Sequence, residues 1–524
     1  MEKNKEIVFG HEARMKIKAG IDKAADAVRP TLGAVGMTAT IEYPGLDPID
    51  CDDGVTILNN LKFKDKYEEI GLQKLRKAAI RTSSEGGDGT ATTTVLTQAL
   101  VAEAFKEIAN DSSKIREVRE RLVQGLGQVL GELTKIKREV SEEDIEKIAT
   151  ISSLDPEVAK LIADVIKEVG INGVITVEKG AKLGYDMEVV KGARFDKGYI
   201  SPYFVNTPEN QSVVLHEPYI VLVDRVISTN EQVISLLKTI GTGKDILFIA
   251  DNVQSVALAT LAHNAVNGVA NIACVQNPYT ASKARDFLFD IASLTGATVI
   301  SEEKGMKLDI ATVELCGRAE KVVVTKDNTT IIGGVPSEIL ASRIQAIEDE
   351  IGQTTSTYAK GMLEDRLAML TGGIGVIRVG AYTDSDFNAK KYKFDNAVNS
   401  TQAALQEGII PGGGTALYSV SKKNIDPMFK KVLENPINQM AINAGMFKDD
   451  LFSGLLMHNK KLLKKVVGDV GYNFKTKQCV NMFDAGIIDP FKVARIALES
   501  ATAIAMSLVS TEVVIVSEDE EPTK

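Results

Sequence analysis

The chain has 524 residues, of which 44% are hydrophobic and 25% charged, with a net charge of −10. This length exceeds what one hydrophobic core serves and implies several domains. The acidic balance, the 5% aromatic content and the lack of tryptophan argue against binding of nucleic acid or an anionic membrane.

From the N-terminus, Ile17, Ile21, Ala24 and Val28 recur at helical spacing up to Pro30. Extended segments are expected over 38–43 and 55–58, and helices over 71–84 and 115–135. Between these two helices lies Gly86-Gly87-Asp88-Gly89-Thr90-Ala91-Thr92-Thr93-Thr94. It feeds a helical pattern of Val95, Leu96, Ala99, Leu100, Phe105 and Ile108. Glycine lets the backbone approach a ligand closely, and the unpaired N–H groups of a helix start favour an anion. Asp88 would repel a bare phosphate, so a phosphate site here needs a divalent cation between the two. Mg2+ held by one or two carboxylates and phosphate oxygens is the usual arrangement. Taken alone, the stretch is equally an ordinary capped helix after a flexible turn.

Val158, Leu161, Ile162, Val165 and Ile166 form one apolar stripe and predict a helix over 155–169. From about residue 170, short apolar β runs occur at 173–178, 219–224 and 246–251. Helices near 232–240 and 253–265 follow the last two. Strands alternating with helices imply a parallel sheet covered on both faces. This α/β block ends near residue 334. Two long helical stretches without proline follow, over 337–370, and Gly372-Gly373 ends them. After a strand at 376–379, helical texture returns from about residue 407. The layout is multidomain α+β, with a helical domain made of both chain ends and an α/β insert between. The charged end, 517–524, is expected to be disordered.

Other motifs are ambiguous singly. Thr31-Leu32-Gly33-Ala34-Val35-Gly36 reads as a helix C-cap. Asp52-Asp53-Gly54-Val55 reads as a solvated turn, although beside a metal-bound phosphate Asp53 could orient an attacking water. Pro411-Gly412-Gly413-Gly414 and Asp484-Ala485-Gly486-Ile487-Ile488-Asp489-Pro490 read as connecting loops, and Pro490 would start a helix over 492–508. The aromatics of 195–204 gather around Pro202, as a buried edge or as an exposed patch that binds other chains. Gly241-Thr242-Gly243-Lys244 is no P-loop, since Asp245 stands where Ser or Thr is needed. Gly373-Ile374-Gly375 lacks the third Rossmann glycine. Cys51, Cys274, Cys316 and Cys479 lie far apart, with neither zinc spacing nor a disulfide framework, as expected in the cytoplasm. The opening MEKNKEIVFGHEARMK lacks the apolar core of a signal peptide, and no run has the length of a membrane span.

Together and in this order, these stretches resemble the group I chaperonins, the GroEL family, over essentially the whole chain. The resemblance rests on Thr31-Leu32-Gly33, Asp53-Gly54-Val55, Gly87-Asp88-Gly89-Thr90, Gly173-Val174-Ile175-Thr176-Val177-Glu178, Tyr199-Ile200-Ser201-Pro202-Tyr203-Phe204, Gly412-Gly413-Gly414 and 484–490. It implies a GroEL-like fold with an equatorial ATP-binding domain at 1–133 and 407–524. An intermediate hinge domain would occupy 134–190 and 375–406, and an apical client-binding domain 191–374. It also implies ATP and Mg2+ as cofactors, a homo-oligomeric ring, usually of seven subunits, and unfolded polypeptide clients. A co-chaperonin is left open as a further partner; nucleic acid and membrane are not implied.

Carried over by position, nucleotide contacts fall on Thr31, Leu32, Gly33, Asp88, Gly89, Thr90, Ala91, Thr92, Gly413, Asn473, Ile487 and Asp489. Asp88 would hold Mg2+ and Asp53 would help to position water. Client contacts fall on Tyr199, Tyr203, Phe204, Ile234, Leu237 and Leu258, with Ala262 and His263 replacing two aliphatic residues. Gly192 and Gly373 fall at the hinges. The chain also departs from the family. Asn396 stands where the family carries a catalytic Asp, and Asp395 lies one step away, about 100° around a helix. Asp52 replaces a Lys and Ala34-Val35 a Pro-Lys pair, which removes positive charge near the phosphates. The expectation is an ATP-dependent folding chaperone with slowed hydrolysis; the alternative is a holdase that binds ATP and barely turns it over.

Overall fold

Periodic apolar residues from the two ends of the chain meet in one unit. In the computed structural model, residues 1–163 and 388–524 form that unit, and 164–387 form a second. The structure describes residues 5–42, 48–108, 111–153, 155–170, 173–180, 182–207, 211–280, 282–301, 303, 305–334, 338–354, 357–446 and 465–517. Tyr43, at the end of an expected extended segment, and 518–524 of the charged end lie outside these residues.

The chain begins with β1 (Lys5–Phe9), α1 (Gly10–Val28), β2 (Ala39–Ile41), β3 (Ile49–Cys51) and α2 (Gly54–Asn60). Then come α3 (Lys66–Gly86), α4 (Thr90–Ile108), α5 (Ile115–Ile136), α6 (Glu142–Ser153) and α7 (Pro156–Val169). Helix α2 occupies residues 55–58, which were expected to be extended. The Asp53 carboxylate accepts from the Val55 and Thr56 amides at 3.2 and 2.6 Å. That N-cap outweighs the strand preference of Val55 and Ile57. Helix α3 likewise starts earlier than its apolar spacing predicts, because Asp65 caps it through the Tyr67 and Glu68 amides. Helices α1 and α3 cross backbone to backbone. A Cβ on Gly20 would lie 1.9 Å from the Glu68 carbonyl oxygen, and one on Gly71 would lie 2.2 Å from that of Ile17.

The second unit contains β4 (Val174–Lys179), β5 (Tyr185–Phe195), β6 (Val213–His216), β7 (Tyr219–Ile227), α8 (Asn230–Ile240), β8 (Asp245–Val253), α9 (Ser255–Val266) and β9 (Asn271–Gln276). It continues through α10 (Ser282–Thr295), β10 (Val299–Ile300), β11 (Gly317–Arg318), β12 (Lys321–Val324), β13 (Thr329–Ile332), α11 (Glu338–Gln353), α12 (Thr357–Thr371) and β14 (Gly373–Val379). The expected parallel sheet is present in the order β10-β7-β8-β9, with β11 added antiparallel to β7. Leu222, Phe248, Ile249 and Cys274 lie fully buried in its strands, as a sheet covered on both faces requires. A second sheet, ordered β4-β14-β5-β13-β12-β6, has only its β4–β14 pair parallel. Strand β5 changes partner at Gly192, pairing with β14 before it and with β13 from it onward.

Helix α13 (Asp384–Glu407) carries the chain back to β15 (Ile409–Pro411), α14 (Thr415–Ser421), α15 (Pro427–Leu433) and α16 (Asn435–Asn443). The described chain ends with β16 (Val470–Asn473), β17 (Gln478–Asn481), β18 (Ile488–Pro490), α17 (Phe491–Val509) and β19 (Val513–Ser517). Helices α4 and α17 bury most of their residues and so form the centre of the helical unit. Both contribute to its main core, together with α1, α3 and α5. Strand β1 pairs antiparallel with β19, Lys5 opposite Ser517. The buried Arg14 guanidinium ties the same ends together through Glu512 at 3.0 Å and the Thr511 carbonyl at 3.1 Å.

Two glycine substitutions should therefore have opposite signs. Gly71→Ala drives a methyl group into the α1 backbone and should cost about 2–3 kcal/mol. Gly127→Ala, on α5 with open space around it, should stabilise the chain by about 0.5–1 kcal/mol. Urea unfolding of both variants checks the pair; shifts of the same sign would contradict the crossing geometry.

Candidate functional site

Three backbone devices build one cavity of about 630 Å³ in the helical unit. The first is the turn between α3 and α4. Gly87 and Gly89 hold φ of +80° and +88°, and a Cβ on Gly89 would lie 2.4 Å from Val493 Cγ1. Both positions thus demand glycine, and Asp88 is carried between them onto the cavity wall. Thr90, Ala91 and Thr92 follow on that wall. The Thr93 and Thr94 hydroxyls instead donate to the carbonyls of Gly89 and Thr90 at 3.0 and 2.9 Å.

The second device is the N-cap of α2, which sets Asp53 on the wall beside Asp52. The third is the β15–β18 pair. It places Ile410 opposite Asp489, while the Gly412 amide donates to the Ile487 carbonyl at 2.9 Å. The Gly413 N–H lies near enough to the Asp489 carboxylate to favour its charged form. Around these lie Thr31, Leu32 and Gly33, a loop held by Asn443, whose Nδ2 donates to the Arg29 and Leu32 carbonyls at 2.9 and 2.8 Å. Asn473 closes the far side. Its Oδ1 accepts from the Lys475 and Thr476 amides at 2.9 and 3.1 Å, which leaves its NH2 group to meet a ligand.

Electrostatically the cavity is built for something absent from its own side chains. Among the described residues, Asp52, Asp53, Asp88 and Asp489 line it against only Lys393 and Lys475 as ammonium groups. Burial pushes the Asp489 pKa up to about 7, with the Asp88 charge adding and the Gly413 N–H opposing. Asp88 is raised for the same first reason: it is open to the cavity, but protein walls thin its hydration. The Gly89 amide opposes that rise and the Asp53 charge adds to it. A cation would relieve both carboxylates. Among the described residues, however, no three carboxylate, His or Cys side chains group closely enough to hold a metal ion alone. The donor set fits a divalent cation that takes its remaining ligands from an anion's oxygens. The start of α4 presents N–H groups to such an anion.

Every nucleotide position named from the sequence lines this cavity, and so do Asp53 and Asn396. Asp395 does not. It lies mostly buried off the wall, and burial lifts its pKa to about 6, with the Lys391 charge opposing. Tyr392, Lys393, Lys475 and the segment 150–153 line the cavity without having been singled out. Tyr392 and Lys393 lie beside Asp395 and Asn396, and Lys475 beside Asn473, but no spacing in the sequence showed which neighbours share the wall. In the second unit, Tyr203 is 69% exposed and Ile234 37%, whereas Phe204 is 2% exposed and belongs to the core. Phe204 therefore cannot face a client as the resemblance implied. Tyr199, Leu237, Leu258 and Ala262 are half-buried, and His263 is exposed.

The position of Asp395 predicts a pH-dependent stability. Between pH 3.8 and about 6 the unfolded chain has released this proton and the folded chain has not, so stability falls as pH rises through that window. Asp395→Asn should gain up to about 3 kcal/mol at pH 7.5, and the gain should vanish by about pH 4. Thermal unfolding across that range checks it; a gain independent of pH would contradict the assignment.

The chain matches the TCP-1/cpn60 chaperonin family over residues 24–519. Among solved structures it is similar to chaperonin gp146 from bacteriophage EL 2 (Pseudomonas aeruginosa), crystallised in the presence of ATP-BeFx in two forms. The TM-scores are 0.67 and 0.62 at 20% and 22% identity, with 98% of this chain and 99% of that chain covered in each case. That likeness extends the fold over nearly the whole length. With the motifs in order and the family matched across both units, this chain belongs to the TCP-1/cpn60 chaperonin family.

Proposed function

We propose that this chain is an ATP-dependent chaperone that binds non-native polypeptides in a ring cavity and promotes their folding. One observation carries the reading: loops from both chain ends bring every expected nucleotide position onto a single cavity wall. Phosphoryl transfer to water requires mainly positioning and charge neutralisation, and this wall offers both without a covalent nucleophile. Thr31, Leu32 and Gly33 would bound the nucleotide on one side, and Asn473 and Ile487 on the other. The first-turn amides of α4, at Thr90, Ala91 and Thr92, would meet its phosphates. Asp88, with Asp489 behind it, would hold Mg2+, which neutralises phosphate charge when bound. Asp53 would orient the attacking water. The ATP-BeFx present with gp146 supports ATP as the nucleotide.

The three-part division into equatorial, intermediate and apical domains belongs to this reading, with Gly192 and Gly373 as hinges, and so does a cytoplasmic location. A homo-oligomeric ring belongs to this reading too, of seven subunits as the resemblance implies; an intersubunit contact is supported by the β1–β19 ribbon, which exposes Ile7, Phe9, Val513 and Ile515. Two strands alone are marginally stable, and their open edges and apolar side chains want a neighbour. Clients would meet Tyr203 and Ile234, with Tyr199, Leu237 and Leu258 behind them and Ala262 and His263 making the surface more polar. Asn396 favours a second reading, an ATP-binding holdase, because an amide can orient water but cannot take its proton.

Mg2+–ATP should bind, and phosphate release should be slow. Asn396→Asp should raise kcat at least about tenfold, as expected for restoring a general base; an unchanged or lower rate would count against the chaperone-ATPase and for the holdase. Tyr203→Glu should weaken capture of a denatured protein by about tenfold while leaving ATP affinity unaltered, which a pull-down with an unfolded client measures.

A further inference from the structure

We propose that the contact between Gly87 and Asn399 is a steric stop that sets how closely α13 approaches the Asp88 turn, making both positioning residues for the attacking water. The inference rests on the ATPase reading above. Gly87 is buried, and the backbone of α13 lies directly over it. A Cβ on Gly87 would fall 2.2 Å from Asn399 Cβ, 2.7 Å from the Asn399 carbonyl carbon and 2.9 Å from the Ser400 nitrogen. Non-bonded carbon atoms keep about 3.5–4.0 Å apart. Two of the three atoms are helix backbone, so no side-chain rotation could relieve the overlap.

The contact sits between two parts of the proposed machinery. Asp88 follows Gly87 directly, and Asn396 lies three residues before Asn399, on the same face of α13. Both Asp88 and Asn396 line the one cavity. The far end of α13 is held separately, by α17. Arg495 Nε donates to the Glu407 carboxylate at 2.9 Å, and Lys492 Nζ to Gln406 Oε1 at 2.8 Å. A helix tied at 406–407 can still tilt towards the turn or away from it. Gly87 fixes that tilt.

The magnitudes give the consequence. A methyl group at Gly87 requires α13 to retreat by about 1.5 Å at Asn399 before contact becomes ordinary. Asn399 lies about 12 Å along the helix from Glu407 and Asn396 about 16 Å, so the retreat grows to about 2 Å at Asn396. That shift breaks a hydrogen bond to water, and misplacement by about 1 Å in a reacting geometry costs up to about a hundredfold in rate. Nucleotide binding draws instead on the α4 amides and the loops around them, which a tilt of α13 leaves in place.

Steady-state ATP hydrolysis by the full-length protein tests the stop with Gly87→Ala and Gly87→Asn, each alone and beside Asn399→Gly or Asn399→Ala. Gly87 holds φ of +80°, which Asn accepts more readily than Ala, so strain in the turn alone would spare Gly87→Asn. Both variants should instead lower kcat at least about tenfold, with KM for ATP changed less than about threefold. Asn399→Gly removes the nearest atom and should recover at least about threefold of the loss. Asn399→Ala keeps that Cβ and should recover none. A loss confined to KM, an unimpaired Gly87→Asn, equal effects of the two Asn399 substitutions, or failure of both Gly87 variants to fold even beside Asn399→Gly overturns the inference. Calorimetric titration of the native chain with Mg2+–ATP separates the two levels of failure. No binding removes the ATPase reading itself, whereas binding with turnover that ignores Gly87 removes only the stop. Binding without turnover overturns both.

Discussion

The cavity follows from burying two apolar helices against each other. Helices α4 and α17 have apolar residues on nearly every face, so neither can sit at the surface without exposing a large apolar area. Their first turns touch, because Val493 of α17 occupies the space in which a Cβ of Gly89 would lie. Two helix N-termini are thereby fixed at one place, that of α4 lining the cavity with its first turn. Each is preceded by a carboxylate, Asp88 before α4 and Asp489 before α17. The result is a site that attracts an anion through its backbone and repels it through its side chains. A divalent cation carried with the anion resolves that conflict, and neither partner alone does so. On the function proposed above, selectivity for a metal-bound nucleotide would originate in core packing.

The site also inherits its precision from short local devices. Asp53 is held by two amides of the helix it caps, and Asn473 by two amides of its own turn. Asn443 clamps the loop at Leu32 from a distant part of the chain. Such bonds fix side chains before a ligand arrives, which lowers the ordering cost of binding.

Much of this was legible in the sequence. The glycine–carboxylate–threonine turn and the apolar stripes depend on local chemistry, and they appear where that chemistry predicts. Strands β7 and β8 of the parallel sheet were equally visible, since each is a continuous apolar run, whereas the run at 173–178 became β4 of the other sheet. Helix α2 was misread because Val55 and Ile57 mimic a strand, and only the cap at Asp53 reveals the competing preference. The sheet built around β5 and β14 was not legible, since its pairings join segments distant along the chain, which no local pattern encodes. Phe204 was misplaced because spacing does not tell a buried aromatic from the exposed Tyr203 beside it.

The nested order of the two units bears on how the chain is made. A ribosome delivers residues 1–163 first, but the helical unit cannot close at that moment. Its central helix α17 and the strand β18 that carries Asp489 emerge only after the whole of 164–387, a delay of roughly tens of seconds at ordinary elongation rates. The inserted unit can complete its own core meanwhile. Throughout that interval, the apolar faces of α1, α3 and α4 lack the helix that will cover them. A nascent subunit is, for that time, the kind of exposed, unfinished chain that the proposed ring receives.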